Sequence, residues 1–145
     1  MTMTVSDIMK KKLETIEETA SVQQTAEKMK EKNTSSLVVV DEKGKPLGLV
    51  TERDLARKVC VNIVPPNEVP NKEIMSSPLI TIDSDSSAFV AADMMLQHNV
   101  RHLLVIDDRS KPIGIITPLD FTRYQEYPNV NDNKDTIEKI LEYYI

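Results

Sequence analysis

The chain repeats itself, and this constrains its fold more than any other feature. Residue i matches residue i+66 without a gap over residues 8–55. Ile8-Met9 matches Ile74-Met75, and Leu13, Thr15 and Ile16 match Leu79, Thr81 and Ile82. Ser21, Ala26, Met29 and Asn33 match Ser87, Ala92, Met95 and Asn99. Leu37, Val39, Asp41, Lys45 and Pro46 match Leu103, Val105, Asp107, Lys111 and Pro112, and Gly48, Thr51 and Asp54 match Gly114, Thr117 and Asp120. Seventeen of the forty-eight aligned positions are identical. Chance resemblance rarely holds register so long, so the chain is two copies of one supersecondary unit.

Each copy reads the same way. Residues 13–16 are a short extended run. Ser21 with Gln24 is a capping-box signature that starts a helix. Val22, Ala26 and Met29 recur at i, i+4, i+7, which defines one helical face, and the second copy offers Ala88, Ala91, Ala92 and Met95. Asn33 and Asn99 suit the left-handed position that ends a helix. Leu37-Val38-Val39-Val40 and Leu103-Leu104-Val105-Ile106 are continuous apolar runs that suit strands covered on both faces. A turn at 41–46 leads to a returning strand at 47–50, and a second helix follows from Glu52 and from Pro118. The unit is strand, helix, strand, strand, helix. The fold class is α/β (α+β), two βαββα repeats plus a C-terminal helix. One unit of roughly 50 residues buries too little apolar surface to be stable alone, so the two must share a core.

The expected boundaries are residues 5–59 for the first repeat, 60–72 for a linker, 73–124 for the second repeat and 125–145 for a tail. Pro65, Pro66 and Pro70 argue for an extended, stiff linker. In the tail, residues 128–133 read as a polar loop. Ile137, Ile140, Leu141 and Tyr144 then fall at i, i+3, i+4, i+7, which predicts an amphipathic helix packed on the body or on a partner.

Composition narrows the function. The formal net charge of −5 disfavours nucleic acid as a partner, because phosphate contacts need clustered Lys and Arg. One cysteine and two histidines disfavour a transition-metal site and a disulfide. No apolar run approaches the ~20 residues that span a bilayer. The expectation is a soluble, cytoplasmic chain with no membrane contact.

The segments richest in chemistry are Gly48-Leu49-Val50-Thr51-Glu52-Arg53-Asp54 and Gly114-Ile115-Ile116-Thr117-Pro118-Leu119-Asp120. In each, an apolar strand ends at Thr and an Asp follows three residues later. Thr at N-cap with an acid at N3 is a stabilising helix start, so the motif reads as a cap. It reads as a ligand site too. A helix N-terminus offers N–H groups to phosphate, and a carboxylate has two acceptor oxygens for a ribose diol. The pattern fits a phosphorylated riboside.

With these motifs duplicated at constant offset, residues 5–123 resemble a pair of cystathionine-β-synthase (CBS) domains, a Bateman module. The resemblance implies a pseudo-two-fold pair with two clefts that take adenosine-containing ligands: AMP, ADP, ATP or S-adenosylmethionine. It implies that Asp54 and Asp120 hold the ribose, with Thr51 and Thr117 beside them. Thr15, Ile16, Thr81 and Ile82 would line the adenine slots, largely through backbone groups. Ser36, Val38, His102 and Leu104, at the start of the second strand, would contribute too. Arg101 and His102 match the family segment that reaches phosphates, whereas the first copy has uncharged Ser35 and Ser36 there. Arg53 matches a position that is basic in some phosphate-binding members, and Leu119 replaces it in the second copy. The clefts are therefore expected to differ, with better phosphate contacts beside Asp120. A surface salt bridge for Arg101 and a satisfied half-buried role for His102 stand as alternatives. The family also implies a homodimer and a separate regulated protein.

Other residues read as structural. Lys10-Lys11-Lys12 is a solvated face, the acids at 41–42 and 107–108 belong to turns rather than to Mg²⁺, and Met94-Met95 is packing. Cys60 lies among apolar neighbours and reads as inert. No nucleophile with a nearby base is visible, so an enzyme is disfavoured. The sequence points to a stand-alone regulatory pair that senses adenine nucleotides, needs no cofactor and holds no metal. The rival reading is an interaction module with degenerate clefts.

Overall fold

The computed structural model describes residues 3–126 and 134–144. The loop expected at 128–133 lies outside these residues. The elements in chain order are α1 (Val5–Ile8), β1 (Thr15–Glu17), α2 (Val22–Lys32), β2 (Ser36–Val40), β3 (Pro46–Thr51), α3 (Glu52–Asp54, continued as π-helical turns over Leu55–Cys60), α4 (Asn71–Ile74), β4 (Thr81–Asp83), α5 (Ala88–His98), β5 (Leu103–Ile106), β6 (Pro112–Ile116), a 3-10 helix (Pro118–Glu126) and α6 (Lys134–Tyr144). This is the expected βαββα order, twice, with the final helix added.

The elements form two compact units, Glu14–Leu79 and Met1–Leu13 with Ile80–Ile145. Each unit holds one three-stranded sheet, β1-β2-β3 or β4-β5-β6. The first two strands of each sheet run parallel and the last two antiparallel.

The units do not coincide with the sequence copies. The leader of the first copy, with α1, belongs to the unit of the second sheet, and α4 belongs to the unit of the first sheet. Lys10 bridges to Ile115 on β6, and Ser76 bridges to Leu49 on β3. This exchange explains the glycine of the repeated motif. A Cβ at Gly114 would stand 2.4 Å from the Lys10 carbonyl oxygen, and one at Gly48 would stand 2.7 Å from that of Ser76. Only a residue without a side chain admits the leader so closely.

The local signals hold in detail. Ser21 Oγ accepts from the Gln24 N–H at 3.2 Å, and the Gln24 side chain accepts from the Ser21 N–H at 3.0 Å. Ser87 Oγ accepts from the Val90 N–H at 3.2 Å. Asn33 and Asn99 end α2 and α5 at φ 50° and 51°, in the left-handed region. Residues 37–40 and 103–105 are buried, as doubly covered strands require. In the turns, Asp41 Oδ1 accepts from the N–H groups of Lys43 and Lys45, and Asp107 Oδ1 accepts from those of Arg109 and Lys111. These acids close turns, as expected. Ile137 and Ile140 of α6 are buried against α5 and the 3-10 helix, with Leu141 and Tyr144 at the edge of the same core.

Two expectations are corrected. On α2 the middle of the buried face is Thr25, not Ala26, which is exposed. Thr25 Oγ1 donates to Asn71 Oδ1 at 2.6 Å, and Asn71 Nδ2 donates to the Glu17 carbonyl at 3.1 Å. A satisfied hydroxyl is buried at little cost, so polarity misplaced the face. The linker is not extended either. Val59, Val64 and Val69 join the core of the first-sheet unit. The Val69 and Pro66 carbonyls accept from the N–H groups of Val22 and Gln23, which are otherwise unsatisfied donors at the start of α2. Of the three prolines, only Pro66 lends its carbonyl to the start of α2.

Candidate ligand-binding site

In the Glu14–Leu79 unit, register gathers the expected residues at one end of the sheet. Thr15 pairs with Val38, Ile16 with Val39, and Ser36 with Thr51. Thr51 then caps α3. Its N–H donates to Asp54 Oδ2 at 2.9 Å, and the Asp54 N–H donates to Thr51 Oγ1 at 3.2 Å. The cap reading of the motif is therefore real here. Asp54 is buried, and its other oxygen Oδ1 is also engaged, by Lys58 Nζ at 3.2 Å. Lys58 Nζ donates as well to the Ile74 carbonyl at 2.7 Å. Arg53 is exposed on α3. Lys28 Nζ donates to the Thr15 carbonyl. Thr15 and Ile16 also border an open groove of about 530 Å³ with Glu17, Gln24, Lys28 and Asp41, and neither Thr51 nor Asp54 lines it.

In the second-sheet unit, Thr81 pairs with Leu104 and Leu103 with Ile116. The pairing direction sets His102 next to Thr117 one step beyond the last pair. The Thr117 N–H donates to Asp120 Oδ2 at 2.8 Å, and Thr117 Oγ1 donates to the same oxygen at 3.3 Å. Both bonds fall on Oδ2. The Asp120 N–H turns to the Thr117 carbonyl at 3.0 Å, as the 3-10 geometry after Pro118 dictates. Asp120 is only 4 % exposed. Burial raises its pKa above the ordinary 3.8, and the Thr117 N–H, Arg123 and Lys10 pull it part of the way back. Ile82 is buried in the core of the unit, so only its backbone faces elsewhere. Thr81 is exposed and His102 is partly buried.

The two motifs are thus unequal in a way the letters hide. Asp54 has both oxygens engaged, while Asp120 keeps Oδ1 outside its cap. Arg101 is also committed. Its Nη2 donates to the Tyr144 carbonyl at 3.2 Å, and its Cζ stands 5.1 Å from the centre of the Tyr144 ring. In the sequence Lys58 and Arg123 carry no expected role, and Lys10 reads only as part of a solvated face, yet all three act on the aspartates. Lys58 was within reach, since i, i+4 from Asp54 is the spacing of a helical ion pair. Lys10 and Arg123, which act on Asp120, carry no such local signal, because Lys10 arrives with the exchanged leader. Among the described residues no three His, Cys, Asp or Glu side chains could together hold a metal ion. Among them too, no helix is long and apolar enough to cross a membrane.

Comparison with known proteins adds an independent line. The family model of the CBS domain matches residues 5–60 and 72–127. An uncharacterized protein from Methanopyrus kandleri is 35% identical over 125 residues, which are 86% of this chain and 64% of the relative. The chain spans less than two thirds of that relative. A conserved CBS domain protein from Thermoplasma acidophilum superposes with a TM-score of 0.82 at 27% identity, covering 98% of this chain and 76% of that one. A CBS domain pair solved in complex with 5'-methylthioadenosine and S-adenosyl-L-methionine superposes with a TM-score of 0.76 at 28% identity, covering 87% of this chain and 98% of that one.

Proposed function

The chain belongs to the CBS domain family, in two copies, and from that premise we propose that it is a regulatory module that binds adenosine-containing ligands. The observation that carries this reading is Asp120. It is a buried carboxylate at a strand end, held by Thr117 through Oδ2, with Oδ1 outside the cap. A helix cap needs one carboxylate oxygen, whereas a ribose diol asks for acceptors on a fixed, oriented group. Arg123 and Lys10 lie near enough to Asp120 to act on its charge, so the locale suits a ligand that is part hydroxyl and part anion. The structural neighbour that holds 5'-methylthioadenosine and S-adenosyl-L-methionine supports the adenosine class. Thr81, His102, Leu104 and Thr117 complete this half-site on the same reading, and Thr15, Ile16, Ser36, Val38, Thr51, Arg53 and Asp54 form the other. Binding regulates a second protein by favouring one conformational state, since a ligand shifts an equilibrium only through differential affinity.

The Lys58–Asp54 pair favours a second reading for the first half-site, in which that motif is purely structural and the chain is an interaction module. Calorimetric titration with AMP, ADP, ATP, S-adenosylmethionine and GMP separates the two. Saturable binding of an adenine ligand, weaker for GMP and lost in the Asp54→Ala/Asp120→Ala double variant, is the expected result. Folded protein that binds none of the five overturns the sensor and leaves the interaction module.

A further inference from the structure

Arg101 stands where the candidate site meets the C-terminal helix. Leu103 and Ile116 form the last pair of β5 and β6, and Arg101 lies in the bend two residues before Leu103, at the end of the sheet where β6 gives way to Thr117 and Asp120. It is the cation on that strand end. Its guanidinium nevertheless caps the last turn of α6. Carbonyls there have no partner within the helix, and a cation at a helix C-terminus meets the negative end of its dipole. The guanidinium also stacks on the Tyr144 ring. Tyr144 is fixed at its other end, where its hydroxyl donates to the Met95 carbonyl at 3.3 Å. Burial and neighbouring Tyr143 push the phenol pKa up, so the hydroxyl remains a donor. One arginine thus joins the strand end beside Asp120 to the end of α6.

We propose that α6 is a latch whose last turn Arg101 holds, and that a phosphate-bearing ligand at the Asp120 half-site draws Arg101 away and loosens that turn. This rests on the adenosine-sensor reading and adds to it a discrimination between ligands with phosphate and ligands without. Phosphate offers guanidinium a full negative charge and two oxygens for a bidentate pair, whereas the Tyr144 carbonyl offers one neutral acceptor. The exchange is therefore favourable for AMP or ATP and has no driving force for adenosine or S-adenosylmethionine, which carry no phosphate. Ile137 and Ile140 keep the body of the helix seated, so the response is confined to its last turn. Loosening there uncovers the edge of the α5–α6 seam at Leu141 and Tyr144, a surface through which a partner can read the ligand.

Hydrogen–deuterium exchange on the full chain, with binding followed by calorimetry in the same samples, tests this. Saturating AMP should speed exchange of the last-turn amides of α6 about tenfold, the loss expected for one arginine hydrogen bond and its ring contact. Saturating adenosine should leave them unchanged. In Arg101→Met these amides should already exchange fast, with AMP adding nothing. Bound AMP with α6 protection unchanged or raised overturns the latch and leaves the sensor standing. Slow exchange in Arg101→Met overturns it as well. Absence of binding by both AMP and adenosine overturns the sensor and the latch together.

Discussion

Replacing Asp120 by Asn separates what the fold needs from what the ligand needs. The carboxylate is 4 % exposed and burial holds its pKa above 3.8, so its charge is disfavoured in the folded state. The sign follows from proton linkage. Between the unfolded and the raised folded pKa, the native state binds more protons than the unfolded one, so stability falls as pH rises through that window. Asn removes this penalty and keeps a carbonyl oxygen to accept from the Thr117 N–H, now 2.8 Å from Oδ2. Thermal melts at pH 7 should show the variant at least as stable as the parent. Ribose binding should suffer, because hydrogen bonds to a charged acceptor contribute about 1.5–3 kcal/mol, which is roughly ten- to a hundredfold in Kd. The parent's affinity should also fall as pH drops through the raised pKa, for the protonated acid loses the charge that the diol reads. Asp54→Asn should behave in the opposite way on stability, since it removes the partner of Lys58. Calorimetry beside melting curves reads both effects. An Asp120→Asn protein that melts much earlier and binds AMP unchanged would refute the reasoning, because the carboxylate would then be a cap alone.

Two further expectations concern the fold. Gly114→Ala sets a Cβ 2.4 Å from a backbone oxygen that cannot rotate away, so the leader must shift, at about 1–3 kcal/mol in a urea melt; Gly44→Ala, with open space around it but φ +81°, should cost only its backbone strain. A Gly114→Ala protein as stable as the parent would mean that the leader is not seated at β6. Thr25→Val keeps the shape and deletes the donor to Asn71 Oδ1, which should cost about 1–3 kcal/mol in the same assay, and an unchanged midpoint would show that water or a rearranged amide serves instead.

What the residues disclose depends on the distance over which a signal acts. Asn33, Asn99 and the Ser21–Gln24 box were readable because a cap is decided within four residues. The strands at 37–40 and 103–106 were readable because runs of aliphatic side chains have few other uses. Thr25 was misplaced because its satisfaction comes from Asn71, far along the chain, and periodicity weighs a hydroxyl as polar whatever it meets. The prolines of the linker announce stiffness, but nothing local says that Val64 and Val69 pack on the core or that the Pro66 and Val69 carbonyls meet the start of α2. The motif letters T-x-x-D are identical in both copies, yet Lys58 leaves the two aspartates chemically different. The family resemblance implies a phosphate contact for Arg101, with a surface salt bridge as the alternative, and nothing local says that its hydrogen bond goes to Tyr144, forty-three residues on.

The exchanged leaders bear on the chain's ancestry. Because each sheet is bordered by the leader of the other copy, the chain passes between its two units twice, at 13–14 and at 79–80. A cut between Pro65 and Pro66 would not part the units, since residues 1–65 and 66–145 each carry pieces of both. One copy alone would lack its bordering segment and could regain it only by trading leaders with an identical molecule, as in a domain swap. In genetic terms the two units are unlike: the first-sheet unit is one uninterrupted stretch, Glu14–Leu79, whereas the second-sheet unit is assembled from both sides of that stretch, so only a chain carrying both copies supplies it.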